Sequence, residues 1–159
     1  MIKLKITFTR RILQDIKLYL KNLNKILYIQ NKFGCSISSN VCITGNRKSV
    51  VIGKNSRINS HTQIRNLDGE VLIGESVLIG QFVSIIAHSY NLNNENIGKA
   101  NMYSNNVVIG DNSWIGAYTM ILPGVKIGKG CVVGAFSLVN KDIPNNEIWF
   151  GIPAKKKKS

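Results

Sequence analysis

The sequence predicts an all-β triangular solenoid of about five coils, preceded by one amphipathic helix and interrupted by one long loop. Three observations predict it. Aliphatic residues recur every six positions through most of the chain. The breaks in that period all fall at one point of a three-hexad cycle. The N-terminal segment repeats instead at three and four.

Residues 10–29 carry Ile12, Ile16, Tyr19, Leu20, Leu23, Ile26 and Leu27 at helical spacing, with Lys17, Lys21 and Lys25 on another face. This is an amphipathic helix pattern. Two roles fit it. It caps the first coil, whose edge would otherwise expose unpaired strand groups, or it lies as a basic helix on an anionic membrane surface.

The six-residue step is plainest at Ile109, Ile115, Ile121, Ile127, Val133 and Val139. Gly follows four of these, at Gly110, Gly116, Gly128 and Gly134. A helix repeats at 3.6 residues and a strand at two, so neither alone explains a period of six. Very short strands joined by tight corners do, with the aliphatic facing inward. Upstream, Ile37 and Ile43, then Ile52, Ile58 and Ile64, then Ile73, Ile79 and Ile85 hold the same step. The breaks after Ile43, Ile64 and Ile85 add three, three and 18 residues. If three hexads make one coil, all three insertions leave from the same corner. The chain then divides into a helical segment over 1–33, a solenoid over 34–144 with a loop at 89–106, and a basic tail over 145–159. At ~4.8 Å per layer, five coils stand roughly 24 Å tall.

Composition bounds the partners. Lys and Arg number 21 against eight Asp and Glu, a net charge of +13, which favours anionic partners. Aromatic residues do not interleave with the basic ones, so nucleic acid is not an expected partner. No apolar run is long enough to span a bilayer, and the start lacks a signal-peptide pattern. Three Cys without C-x-x-C spacing (Cys35, Cys42, Cys131) point to a reducing, cytoplasmic setting in which they are buried and inert.

The stretch Ser84–Asn94, SIIAHSYNLNN, ends a regular hexad with a histidine and opens the long loop. His88 is the third residue after inward Ile85, at or beside a corner. Long loops in compact folds are commonly functional, and a neutral imidazole is suited to take a proton near pH 7. His61 is the only other His, so a three-His zinc set is not available and no metal is expected.

The motifs NMYS, WIGA, ILPGVKIG, VVGAFSLVNKDIP and GIPAK, over about residues 50–158, resemble the galactoside and maltose O-acetyltransferase branch of the hexapeptide acyltransferases. The resemblance implies a left-handed parallel β-helix, acetyl-CoA as acetyl donor and a sugar hydroxyl as acceptor. It implies His88 as general base and the backbone N–H of Ala117 as oxyanion donor. Ala135 would meet the pantetheine arm, and Trp114 would line the thioester. Asn140, Lys141, Lys155 and Lys158 would hold the nucleotide phosphates, with Asn140 in place of the family's Thr. His61 and Glu95 are candidate acceptor contacts. The resemblance further implies a homotrimer with active sites between neighbouring coils. A surface-glycan precursor, lipid-linked or not, would suit the basic helix. Antibiotic or amino-sugar N-acetylation, and a non-catalytic scaffold, are the alternative functions.

Overall fold

The computed structural model describes residues 2–91 and 101–158. Glu95 lies outside the described residues. After helix α1 (Ile2–Phe33) the chain winds as short parallel strands stacked into three faces. The first face stacks Ser36–Ile37, Arg57–Ile58, Leu78–Ile79, Trp114–Ile115, Val132–Val133 and Ile148–Phe150. The second stacks Cys42–Thr44, Gln63–Arg65, Ser84–Ile86, Met120–Ile121 and Leu138–Val139. The third stacks Val50–Ile52, Val71–Ile73, Val107–Ile109 and Lys126–Ile127, with Ile143 bridged above Ile127. Each complete coil gives one strand to each face, so a step of six is one side of a triangle.

The inward aliphatics form the core. Ile58, Ile64, Ile79, Ile85, Ile109, Ile115 and Ile121 are at most 1% exposed. β-branched side chains suit these pleated inner walls. The small polar residues of the repeat have a separate task. Ser56, Thr62, Ser113 and Thr119 are buried, and each hydroxyl donates to a glycine carbonyl of the next coil: Gly74 (2.7 Å), Gly80 (3.0 Å), Gly128 (2.9 Å) and Gly134 (3.2 Å). A buried hydroxyl is tolerated when bonded in this way.

The three insertions do leave one corner, between the second and third faces. Ile43, Ile64 and Ile85 stack in register, as do Ile52, Ile73 and Ile109. The Asn66 amide donates to Asn46 O (2.6 Å), and the Ala87 N–H donates to Arg65 O (2.8 Å), so the bulges support one another. The long insertion differs from the loop expected over 89–106. Its two ends pair as an antiparallel hairpin, His88–Asn91 with Asn101–Ser104.

The helix runs beyond both ends of the periodic stretch 10–29, within the segment expected over 1–33, and stops only at Gly34, whose φ of +65° closes the C-terminus with an N–H bond to Gln30 O (2.9 Å). It does cap the first coil, but on a different face. Of the expected apolar stripe only Ile26 is fully buried; Ile12, Ile16, Tyr19, Leu20 and Leu27 are exposed. The docking face is Asn22, Lys25, Ile26, Ile29, Gln30 and Phe33. The physical reason is the coil edge itself, which presents open backbone groups beside its isoleucines. Asn22 meets both kinds, donating to Val41 O (2.7 Å) and accepting from the Ile43 N–H (2.8 Å). The Lys25 ammonium donates to Ile43 O (3.0 Å) and Gly45 O (2.8 Å). The Arg47 guanidinium lies 4.5 Å over the Tyr28 ring.

Residues 145–159, expected as a tail, extend the solenoid instead. Ile148–Phe150 adds a sixth strand to the first face, and Lys155–Lys156 folds back antiparallel on it. Cys131 is buried as expected, but Cys42 is exposed and Cys35 half-buried. Cys42 sits in the outward position of its strand, where the alternation turns it to solvent.

Candidate active site

His88 opens the hairpin on the corner between the second and third faces, opposite Ser104. Its Nδ1 is buried and has no hydrogen-bond partner among the described residues.

Ala117 sits on the other edge of the second face, at the corner shared with the first. That corner uses the Gly116 N–H on Val133 O (2.8 Å) and the Tyr118 N–H on Gln81 O (2.9 Å). Between them, the Ala117 N–H has no acceptor among the described residues. Such an unspent amide at an exposed corner is a ready oxyanion donor. Gly80 makes the spacing possible, because a Cβ there would stand 2.6 Å from the Ala117 nitrogen. Ala135 repeats the arrangement one coil on, 2.5 Å from where a Cβ on Gly116 would be. Trp114 is exposed on the first face, one strand before the Ala117 corner.

Beside these amides runs a stack of rings. His61, Phe82, Tyr118 and Phe136 lie nearly parallel, with centroids 4.6, 4.8 and 4.7 Å apart. All four hold positive φ, between 55° and 62°, a backbone state that bulky side chains seldom adopt. Each is the third residue after an inward aliphatic of the first face (Ile58, Ile79, Ile115, Val133), so a signal for the stack was present in the spacing. His61 thus belongs to this stack and does not approach His88's corner.

The third element is a cleft of about 330 Å³ at the C-terminal end. Asn140, Lys141 and Lys155 line it together, with Trp149, Pro153 and Ala154. Lys158 is exposed and is not part of that lining. Lys156 also lines the cleft, but its ammonium is paired with Glu147 (2.6 Å). Glu147 accepts the Trp149 indole N–H as well (2.7 Å), and the Lys156 bond first, then the Trp149 bond, hold its carboxyl below the usual range. Sequence reasoning missed Trp149 and Glu147, because the fold-back that joins them to the lysines has no hexad signature. Among the described residues, no cluster of three His, Cys, Asp or Glu could hold a metal ion.

Residues 106–141 match the family model described as bacterial transferase hexapeptide (six repeats). A protein of Escherichia coli K12 named for O-acetyl transfer in lipopolysaccharide biosynthesis is 33% identical over 144 residues, spanning 80% of this chain and 73% of that protein. The chain belongs to the hexapeptide-repeat acyltransferase family. The galactoside O-acetyltransferase of the same organism is 38% identical over 107 residues, 67% of this chain and 52% of that enzyme. The chain thus spans about half the length of the galactoside O-acetyltransferases it matches. A hexapeptide-repeat acetyltransferase of Vibrio cholerae, solved with acetyl-coenzyme A, superposes with a TM-score of 0.73 at 27% identity, over 90% of this chain and 83% of that one. The fold is the family's left-handed parallel β-helix.

Within one chain, His88 and the Ala117 amide stand on opposite edges of the second face, with the length of a strand between them. Asn140 and Lys141 follow Leu138–Val139 and so lie on His88's edge, two coils further on.

Proposed function

We propose that this chain is an acetyl-CoA-dependent acetyltransferase acting on a sugar hydroxyl of a surface-glycan precursor. The observation that carries the reading is the cleft in which Asn140, Lys141 and Lys155 converge. Two ammonium groups and an amide around an open cleft suit the phosphates of a nucleotide.

The chemistry follows from the side chains. His88 Nε2 takes the acceptor hydroxyl proton as the oxygen attacks the thioester carbonyl. The Ala117 N–H donates to the oxyanion that develops there. Collapse breaks the C–S bond, and the imidazolium returns its proton to the departing thiolate. Trp114 walls the thioester, and the Ala135 backbone meets the pantetheine arm. Lys158, exposed beyond the cleft, adds its charge to the phosphates, while His61 and Glu95 are assigned to the acceptor side.

Because base and oxyanion donor occupy opposite edges of one face, the reading requires two chains per site. The His88 edge of one solenoid faces the Ala117 corner of its neighbour, in a homotrimer. The relative named for lipopolysaccharide biosynthesis supports a glycan acceptor, and a lipid-linked one would be met at the inner face of the membrane.

The test is acetyl transfer to a panel of sugars, nucleotide sugars, glycans, amino sugars and antibiotics, read by product mass. Transfer to a hydroxyl of a sugar that falls at least about a hundredfold in His88→Ala fits loss of a general base. Transfer unchanged in that variant removes His88 from the role, and products acetylated only at nitrogen replace the acceptor class.

A further inference from the structure

α1 carries a second apolar face that the solenoid does not cover. At 100° per residue, exposed Ile12, Ile16, Leu20 and Leu27, with half-buried Leu23 among them, share a stripe about 110° around the helix from the docking residues Asn22, Ile26, Ile29 and Phe33. Ile16 is 48% exposed, Tyr19 57% and Leu20 50%. Lys17, Lys21 and Lys25 centre on the far side, about 140° from the stripe. Over its length α1 holds eight Lys and Arg against one acid, Asp15.

The charge extends onto the solenoid. The first bulge carries Arg47 and Lys48 beside α1, and Lys21, Lys25 and Arg47 line an open cleft of about 340 Å³ with Asn24, Gly45 and Asn46. Burial first, then the Lys21 and Arg47 charges, push the Lys25 ammonium below its ordinary range. Among the described residues, no carboxylate lines this cleft.

We infer that the uncovered stripe of α1 docks on an anionic lipid bilayer, with the helix lying in the interface at the N-terminal end of the solenoid. An apolar stripe opposite a Lys-rich face is the pattern of an interfacial helix, and each basic group near an anionic surface adds attraction. A second copy is the poorer occupant, since each helix holds eight Lys and Arg against one acid and two chains of such like net charge repel. No helix among the described residues is long and apolar enough to cross a membrane, which fits lying on one. The inference rests on the reading of a membrane-face enzyme, and flotation tests it without relying on acetyl transfer.

The full chain is floated with vesicles of mixed phosphatidylglycerol and phosphatidylcholine, and with phosphatidylcholine alone. Binding should occur with the anionic vesicles only and weaken with salt. Ile16→Asp/Leu20→Asp should cut the bound partition at least about tenfold, with melting temperature and vesicle-free acetyl transfer to a soluble sugar unchanged. Wild-type protein that does not float overturns the inference, as does flotation undiminished in the double variant. A double variant that instead loses oligomeric mass in sedimentation assigns the stripe to a second copy. Vesicle-free transfer that fails while flotation succeeds counts against the acetyltransferase reading alone.

Discussion

The Glu147 carboxylate receives the Lys156 ammonium and the Trp149 indole N–H, and so ties the returning strand to the last strand of the first face. Its pKa is lowered in the folded chain. Its contribution is therefore complete above the ordinary glutamate range and is lost as pH falls through the lowered value. Trp149 reports this directly. In a Trp114→Phe background, indole emission should hold steady down to the ordinary glutamate range and shift only in stronger acid. Glu147→Gln should abolish that step, and a step that survives in the Gln variant assigns it to another group. Among the described residues Lys141 makes no such ion pair, and it lines the cleft. Lys141→Ala should raise the KM for acetyl-CoA about tenfold with little change in kcat, the pattern of a contact present in ground and transition states alike. Initial rates against acetyl-CoA concentration decide it. The sequence showed Lys141 through a motif. It hid Glu147, because a partner reached by a fold-back leaves no local period.

At the scale of the element, α1 shows where hydrophobic periodicity stops being informative. The 3,4 spacing of Ile12, Ile16, Leu20 and Leu23 correctly marked a helix and left a cap as one of two roles, yet the face that caps is built around Asn22 and Lys25. An open coil edge must have its N–H and C=O groups satisfied as well as its isoleucines covered. A polar residue that does so reads, in sequence, as part of the solvent face. Asn22→Ala should leave Val41 O and the Ile43 N–H unpaired together and destabilise the fold by about 2 kcal/mol. Ile16→Ala, on the uncovered stripe, should change stability little. Urea denaturation of both variants measures the contrast, and equal losses would place the cap's energy in the stripe instead.

At the scale of the whole molecule, the triangular cycle was legible because each hexad is one side of a coil, and because Ile43, Ile64 and Ile85 precede every insertion. The same arithmetic separates the two halves of the candidate site. His88 is three residues past an inward Ile of the second face, and Ala117 two past one of the first, so they occupy different corners however the coils stack. Motif alignment names both residues but carries no such geometry. If neighbouring solenoids complete each other's sites, two inactive variants should rescue one another. Ala117→Pro removes the N–H donor while keeping His88, and His88→Ala keeps the donor. Co-refolded in equal amounts, random mixed trimers should regain activity at roughly a quarter of their sites, provided each variant alone matches the wild type in melting temperature and mass. Rescue at that level means that base and oxyanion donor come from different chains. A mixture as inactive as its parts, with mixed trimers verified by mass, means that one chain must supply both, and a rearrangement would then have to carry them across the second face.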